Sequence, residues 1–194
     1  MAQPTHPPAT LQLVAIFSRH ASALDWAIER IEQQWGRVAL LSTRFDHSET
    51  TYYAAEMGSH LLKQFVVVDG LYDPAELPQS KLTSNAWENE LSASHQFAEA
   101  QFPENQFPQK RPLNIDPGYV TLTKLVLASC KDRAHRIYLR DGIYAEECLY
   151  YLGAGWQSRP WTYPDYQRPD FQAFFEEARD WLKALQRTIA GQTK

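Results

Sequence analysis

The sequence contains few cysteines, and their placement excludes two common kinds of structural support. Cys130 and Cys148 are the only two in 194 residues, and neither lies in a CxxC pair or another metal-binding spacing. A disulfide framework and a cysteine zinc site are therefore not indicated. We expect both thiols to be buried as small apolar side chains.

Long apolar runs are also missing, which bears on the cellular compartment. No segment approaches the ~20 apolar residues that span a bilayer. Residues 1–10 are proline-rich and lack the apolar core of a signal peptide, so we expect a disordered N-terminal arm rather than an export signal. Together with the scarcity of cysteine, these absences favour a cytoplasmic location without a membrane partner.

The standard motifs for phosphate, dinucleotide, metalloprotease and hydrolase sites are absent as well. The sequence has no G-x-x-x-x-G-K-[ST], no G-x-G-x-x-G, no H-E-x-x-H and no G-x-S-x-G. Its six histidines are scattered, and none forms a pair at i, i+3 or i+4. A P-loop or Rossmann site is therefore not expected, no metal is indicated, and any cofactor stays unidentified.

Apolar periodicity predicts a single α+β domain over residues 11–190. The predicted order is strand, helix, strand, strand, helix, a polar segment, a hairpin and a closing helix. This order favours a mixed or antiparallel sheet with helices packed mainly on one face, built as a ferredoxin-like core plus a C-terminal hairpin and helix. The predicted strands are Leu11–Ser18, Val38–Phe45, Gln64–Asp69, Arg136–Leu139 and Ile143–Tyr151, while Thr121–Ser129 fits either a strand or a helix.

The hairpin is signalled by Asp141-Gly142, a dipeptide typical of a two-residue turn. Alternation then places Glu146 on one face with Tyr144 and Cys148. A carboxylate on such an apolar and aromatic face needs a partner or a catalytic use, so Glu146 is a candidate acid–base residue. The expected cross-strand pairs are Leu139–Tyr144, Tyr138–Ala145, Ile137–Glu146 and Arg136–Glu147, the last of them an ion pair.

Positive charge is concentrated in one stretch of an otherwise acidic chain. The net charge is −4, yet Lys110–Arg140 holds seven Lys or Arg against two Asp, an excess of five positive charges. A local basic region on an acidic protein favours a small anionic ligand over a long phosphate backbone.

Two polar segments of this stretch carry candidate site residues. The first, Asn114–Tyr119, has the residue types of a tight turn at Asp116-Pro117-Gly118. Its alternative role is functional, with Asp116 as a ligand-orienting carboxylate or a general base.

The second segment, Lys131–Arg136, is either a solvated loop before a strand or an anion site. In the functional interpretation Lys131 supplies charge, Arg136 grips a phosphate or carboxylate with two N–H groups, and His135 moves a proton near neutral pH.

An aromatic segment, Arg159–Tyr166, follows the hairpin. Two prolines stiffen it, and it presents several large rings and a carboxylate. It would cover a ligand site, or it would close the edge of an apolar core; the sequence favours neither.

Long segments in a fixed order resemble one bacterial protein family. They are Tyr52-Tyr53-x-x-Glu56-Met57-Gly58, Asn114-x-Asp116-Pro117-Gly118-Tyr119, Lys124–Ser129, His135–Leu139 with Gly142–Glu146, and Pro160–Tyr166. The chain is similar in these to the DUF4416 family, a bacterial domain of unknown function, over nearly its whole length after residue 10. It departs from the family in the proline-rich arm and around Gln101–Gln109.

The resemblance implies a small bacterial cytosolic protein and carries no established activity, so it assigns no catalytic residue. Some members of the family bear a GTP-binding label, but this sequence lacks both a P-loop and an N-K-x-D motif. We therefore do not expect a GTPase mechanism, whereas nucleotide binding by another surface stays open.

The leading hypothesis is a pocket for a small anionic ligand, either a nucleotide or a phosphorylated metabolite. The alternatives are a non-enzymatic protein-interaction module that uses the aromatic segment, and RNA binding, which the net acidity opposes. Enzymatic activity and oligomeric state are left open. The candidate catalytic residues are Asp116, His135 and Glu146, and the candidate ligand-binding residues are Glu56, Asn114, Lys124, Lys131, Arg136, Tyr138, Tyr144, Trp161, Tyr163, Asp165 and Tyr166.

Overall fold

The computed structural model describes residues 3–8, 10–47, 54–94 and 111–192, which form a nine-stranded sheet and four helices. All strand pairings in these residues are antiparallel. The strands are β1 (Leu11–Ser18), β2 (Val38–Leu41), β3 (Phe45–His47), β4 (Leu61–Val68), β5 (Leu113–Val120), β6 (Lys124–Ser129), β7 (Ile137–Arg140), β8 (Ile143–Leu152) and β9 (Gly155–Ser158). The helices are α1 (Ala21–Trp35), α2 (Ala54–Met57), α3 (Leu77–Ala93) and α4 (Pro169–Gln192).

The strand order is β2-β4-β1-β5-β6-β8-β7, with β3 paired to β4 and β9 paired to β8. Its first four strands interleave two β-α-β units, and α1 and α3 pack on the same face of them. This is the ferredoxin-like arrangement. The predicted single α+β domain, with such a core and an added hairpin and helix, is confirmed.

Both faces of the central strand β1 are covered, because all eight of its residues are buried. Val14 and Ile16 pack against α1 and α3 on one face. Leu13 and Ala15 pack on the other face with α4, where Phe175 is fully buried. Two of the three long helices therefore share a face, and α4 covers the opposite one. The burial of each large apolar side chain contributes about 1.5–3 kcal/mol.

The strands β5 and β6 are paired over a short distance only. Their ladder joins Gly118, Tyr119 and Val120 to residues of β6, whereas the earlier residues of β5 pair with β1 alone. Pro117, at the end of this ladder, has no N–H to donate to a neighbouring strand. The two strands consequently separate, and a gap opens in the sheet between the first half of β5 and the end of β6.

The predicted turn at Asp116-Pro117-Gly118 is wrong, because these residues lie inside β5. Their pairing with β1 explains the error: Asp116 lies opposite Ala15 and Pro117 opposite Val14. Pro117 is tolerated here since the strand pairs only with β1 at this residue, whereas Gly118 pairs with both β1 and β6.

Gly118 allows the close approach of the two strands, and its replacement by alanine is expected to lower the free energy of unfolding by about 1–3 kcal/mol. A Cβ atom at this position would lie 2.2 Å from the Val126 carbonyl oxygen and 2.6 Å from Leu127 Cδ2. The measurement is chemical denaturation. Gly155→Ala is the control, because a Cβ there has no heavy atom within 4 Å; equal effects of the two substitutions would contradict the prediction.

The β7–β8 hairpin turns at Asp141-Gly142 as predicted, with positive φ at both residues. Its register differs from the expectation by one residue, because a bulge lies between Tyr138 and Arg140. Tyr138 lies opposite Tyr144 rather than Ala145. The predicted Arg136–Glu147 ion pair is therefore wrong, and Arg136 is paired with Glu146 instead.

Other local predictions need correction or lie outside the described residues. Thr121–Ser129 contains the strand β6, and a further strand, β9, which the predicted order of elements lacks, follows the hairpin. Cys148 is buried as expected, but Cys130 is exposed because it follows the end of β6. Tyr52, Tyr53 and the segment Gln101–Gln109, where the chain departs from the family, lie outside the described residues. Residues 3–8 contain no helix or strand, and the disorder of the arm stays a prediction.

No described helix is both long and apolar enough to cross a membrane.

Candidate functional site

A cavity of about 430 Å³ occupies the gap between β5 and β6. Its walls come from parts of the chain that are far apart in sequence: the strands β1, β3, β4, β5, β6 and β8, the helix α3, the segment 130–136 and the segment 163–166. The size is in the range of small-molecule sites. The divergence of the two strands is thus what gives the sheet a concave surface.

The cavity carries an excess of positive charge. Six cationic side chains line it, against three carboxylates. The cations are Lys63, Lys81, Arg111, Lys131, Arg133 and Arg136, and the carboxylates are Asp116, Glu146 and Asp165.

Lys81 is the centre of a buried polar network beneath the cavity. Its side chain extends from α3 and is only 4% exposed. Its Nζ donates to Asp116 Oδ1 at 2.8 Å and to the Ile115 carbonyl oxygen at 2.7 Å. Glu88 Oε1 lies 3.7 Å from the same nitrogen. A buried ammonium of this kind needs several acceptors, and the residues of β5 provide them.

Charge pairing outweighs burial for both partners of this network. Burial alone would raise the pKa of Asp116, but Lys81, followed by Asn114 and Arg111, holds it below its ordinary value. Burial alone would lower the pKa of Lys81, but Asp116 and Glu88 hold it above its ordinary value. Both groups are therefore charged at neutral pH.

The network extends along β5 to the edge of the cavity. Asn114 donates from Nδ2 to Asp116 Oδ2 at 2.6 Å, and Arg111 donates to the amide oxygen of Asn114. Arg111 also donates from Nε and from one terminal nitrogen to Glu88 Oε2, at 3.1 and 2.8 Å. Asp116 is thus fixed by donors on both of its oxygens, as a ligand-orienting carboxylate would be.

A second network is organised by Arg136, whose side chain is 7% exposed. Its guanidinium donates to Glu146 Oε2 at 2.7 Å and to the Tyr163 hydroxyl at 2.7 Å. One terminal nitrogen also donates to Ser129 Oγ at 2.6 Å and to the Lys131 carbonyl oxygen at 2.9 Å. These contacts use four of its five N–H groups, so Arg136 is mainly a clamp that joins β6, β8 and the aromatic segment.

Glu146 is held by one of its two oxygens. In addition to Arg136, Oε2 accepts a hydrogen bond from the Tyr163 hydroxyl at 3.3 Å and lies 3.5 Å from His135 Nε2. Oε1 is buried and has no hydrogen-bond partner among the described residues. Burial, followed by the charge of Glu146, raises the pKa of Tyr163, so this hydroxyl stays protonated and donates.

The third charged group is the ion pair of Lys63 and Asp165. Lys63 Nζ donates to Asp165 Oδ2 at 2.6 Å, and His47 Nδ1 lies 3.3 Å from the same oxygen. The ammonium also lies 4.4 Å from the centre of the Tyr166 ring, a cation–π contact. Burial raises the pKa of Tyr166 well above its ordinary value, and its hydroxyl has no hydrogen-bond partner among the described residues.

The structure brings most of the predicted site residues together, and the rest lie elsewhere. His135 and Trp161 stack on each other, with ring centroids 5.4 Å apart, directly behind Glu146 and outside the cavity lining. The predicted residues that line the cavity are Asn114, Asp116, Lys131, Arg136, Glu146, Tyr163, Asp165 and Tyr166.

Besides Trp161, four of the proposed ligand-binding residues are not in the cavity lining. Lys124 is exposed at the start of β6, opposite Tyr150 and at the far end of the strand from the gap. Tyr138 and Tyr144 contact each other on the β7–β8 hairpin, with ring centroids 5.4 Å apart. Glu56 is exposed on α2. Their sequence context placed them near the site, but their strands or helix carry them away from the gap.

Sequence reasoning missed Lys63, Lys81 and Arg111, which contribute half of the cationic lining. A signal for Lys81 exists, because Leu77, Lys81 and Glu88 share the buried stripe of α3. Opposite charges on an apolar helix stripe indicate a buried pair. Lys63 likewise interrupts the apolar strand β4. The remaining missed lining residues are Phe17, His47, Asn85, Leu127, Ala128, Ser129, Cys130, Arg133 and Pro164.

No group of three or more His, Cys, Asp or Glu side chains that could hold a metal ion occurs in the described part of the chain. The cationic lining also suits an anion better than a cation.

Comparison with known proteins gives a family and no function. The sequence profile of one family, described as a domain of unknown function (DUF4416), matches residues 7–181. Neither a curated protein nor a solved structure matches the chain.

Proposed function

The chain belongs to the DUF4416 family, and from the cavity between β5 and β6 we propose that it binds a small anionic ligand, a nucleotide or a phosphorylated metabolite. The observation that carries the proposal is the excess of cationic over acidic side chains in this concave lining. A cleft lined by one sign of charge concentrates ligands of the opposite sign.

The cations differ in how they would act on a ligand. Lys81 and Arg136 are buried and paired with Asp116 and Glu146, so their charges are balanced within the lining. Lys131 and Arg133 are exposed in the lining, where their long side chains can reach an incoming phosphate or carboxylate. We therefore assign the direct anion contacts to Lys131 and Arg133.

The carboxylates would orient the ligand. The pKa of Asp116 is held low by Lys81, which suits an orienting role and not a general base near neutral pH. Glu146 binds Arg136 and Tyr163 through Oε2, and its Oε1 has no hydrogen-bond partner among the described residues. We propose binding and assign no reaction.

Neutralising the two exposed cations of the lining, Lys131 and Arg133, is expected to weaken anion binding about ten-fold or more. The variant is Lys131→Gln with Arg133→Gln, and the probes are AMP, ribose 5-phosphate and inorganic phosphate in low-salt calorimetry. Each lost charge-assisted hydrogen bond is worth about 1.5–3 kcal/mol. The control is Lys124→Gln with Arg140→Gln, which removes two charges from the same basic stretch but outside the cavity lining.

Alkylation of Cys130 locates the bound probe. This thiol is exposed, lines the cavity and accepts a hydrogen bond from Asn85 Nδ2 at 3.1 Å, whereas Cys148 is buried. A bound probe should slow iodoacetamide labelling of Cys130. Equal weakening in both double variants, or binding without protection of Cys130, would show that the anion binds elsewhere.

A protein-interaction function is the second candidate, and the edge strand β7 favours it. Ile137 and Tyr138 are 71% and 58% exposed there, and an unpaired strand edge can accept another strand. Trp161, which the aromatic-segment hypothesis requires at the surface, is 39% exposed, and its indole nitrogen donates to the Glu147 carbonyl oxygen. Of the cations in Lys110–Arg140, four line the cavity, which favours a compact ligand over the extended contact that RNA requires.

A further inference from the structure

Two buried oxygen atoms of residues in the cavity lining have no hydrogen-bond partner among the described residues: Glu146 Oε1 and the Tyr166 hydroxyl oxygen. Both residues are 1% exposed. They come from different elements, β8 and the 3₁₀ turn Pro164–Gln167. The two groups that bond to Glu146, Arg136 and Tyr163, both use its other oxygen, Oε2.

Such atoms are uncommon in a folded protein and destabilise it. A buried polar group without a partner keeps the cost of its lost hydration, and most buried polar groups are satisfied. Two of them in residues that line one cavity therefore indicate groups that a ligand completes.

The two atoms define the chemistry of that ligand group. A carboxylate oxygen only accepts, whereas a phenol hydroxyl both donates and accepts. A ligand hydroxyl can donate to Glu146 and accept from Tyr166, while an alkyl group can do neither. An ammonium would donate to Glu146, but the charge of Glu146 is already balanced by Arg136 and the lining has excess positive charge. A neutral hydroxyl is the best match.

We infer that the ligand is a hydroxylated anion of the sugar-phosphate or polyol-phosphate class, with Lys131 and Arg133 contacting its phosphate and Glu146 Oε1 and the Tyr166 hydroxyl contacting its hydroxyl groups. This inference rests on the proposed function and names its ligand class. The volume of about 430 Å³ suits a ligand of this size.

The test compares phosphate esters that carry sugar hydroxyl groups with alkyl phosphates that lack them. Binding of ribose 5-phosphate and of glucose 6-phosphate is measured by calorimetry against pentyl phosphate and hexyl phosphate, which carry the same number of carbons. We expect the sugar phosphates to bind at least about ten-fold more tightly, because a site built to bond a hydroxyl discriminates strongly against its loss.

Tyr166→Phe identifies the residue responsible. It removes only the unpartnered oxygen, so folding should be retained, and the ratio between sugar and alkyl phosphates should fall to below about three-fold while alkyl phosphate binding is unchanged. Tyr151→Phe is the control, because its hydroxyl donates to Glu176 outside the cavity lining and its loss should leave the ratio intact.

The outcomes separate the inference from the proposed function. Equal binding of alkyl and sugar phosphates, or a ratio unchanged in Tyr166→Phe, would overturn the hydroxyl assignment while anion binding stands. So would AMP binding more tightly than every sugar phosphate with no loss in Tyr166→Phe, because recognition would then lie in the base. If no phosphate ester and no inorganic phosphate binds, the proposed function itself is wrong.

Discussion

Replacing Lys81 with methionine is expected to lower the free energy of unfolding by about 3–5 kcal/mol at neutral pH, the usual cost of removing one partner from a buried ion pair. Methionine retains the length of the side chain, so the change removes charge and little volume. The substitution removes the ammonium that lies 2.8 Å from Asp116 Oδ1 and 3.7 Å from Glu88 Oε1, so both carboxylates lose this partner. Urea denaturation measures the loss.

An exposed ion pair provides the control for this variant. Lys183 donates to Asp180 on the surface of α4, and exposed pairs contribute little. Lys183→Met should leave the free energy of unfolding close to that of the wild type. If Lys81→Met had no larger effect than Lys183→Met, the buried network would not be formed as the structure shows.

The stability difference between Lys81→Met and the wild type should shrink in acid. The folded-state pKa of Asp116 is depressed in the wild type, so its contribution is present above the unfolded pKa of ~3.9 and is lost as the pH falls through the folded pKa. Once the carboxylate is protonated in both proteins, Lys81 no longer has that charge to neutralise. Denaturation between pH 7 and pH 3 tests this; a constant difference would exclude Asp116 as the main partner.

Replacing Arg136 with methionine is expected to cost about 3–5 kcal/mol as well, because it leaves Glu146 as a buried carboxylate without a cation. Arg136→Lys separates charge from geometry. Lysine restores a positive charge but has three donors on one atom, and it cannot span Glu146, Ser129 and Tyr163 as the planar guanidinium does. We expect Arg136→Lys to recover only part of the stability.

The same pair of variants should affect ligand binding. Without the clamp, Glu146 and Tyr163 are no longer held in place, and we expect binding of ribose 5-phosphate to weaken about ten-fold or more even in Arg136→Lys. Arg140→Met is the control, since Arg140 pairs with Asp141 at the exposed hairpin turn. Full stability and binding in Arg136→Lys would show that charge alone suffices.

The ferredoxin-like core could be predicted from the sequence because its signals are local. Apolar runs such as Leu11–Ser18 and the stripe of α1 repeat with the period of their own element, and the order of elements then restricts the topology. The length of the β5–β6 ladder has no such local signal. Asp116-Pro117-Gly118 is typical of a turn, and only its pairing with β1 keeps it extended.

The candidate site was predictable in part for the same reason. Asp116, Arg136 and Glu146 can be recognised in the sequence because each is a charged residue within a predicted strand or turn, and the three lie within one stretch of the chain. Lys63 and Lys81 come from β4 and α3, and nothing local shows that these elements face β5 at the gap. The bulge before Arg140 has no signal in the sequence either. It shifts the register of the hairpin by one residue, and Arg136 therefore pairs with Glu146.

The short ladder between β5 and β6 has a consequence for how the site can be altered. One wall of the cavity belongs to the ferredoxin-like half of the sheet, and the other wall belongs to the β6–β8 half. Within the sheet, the halves are connected by the three paired residues of the β5–β6 ladder, Gly118–Leu127, Tyr119–Val126 and Val120–Leu125. The aperture is therefore set by the angle at which the halves meet. Changes at this junction, or in the Thr121–Lys124 turn beside it, would widen or narrow the entrance and would also strain the Lys63–Asp165 ion pair, which joins the two halves.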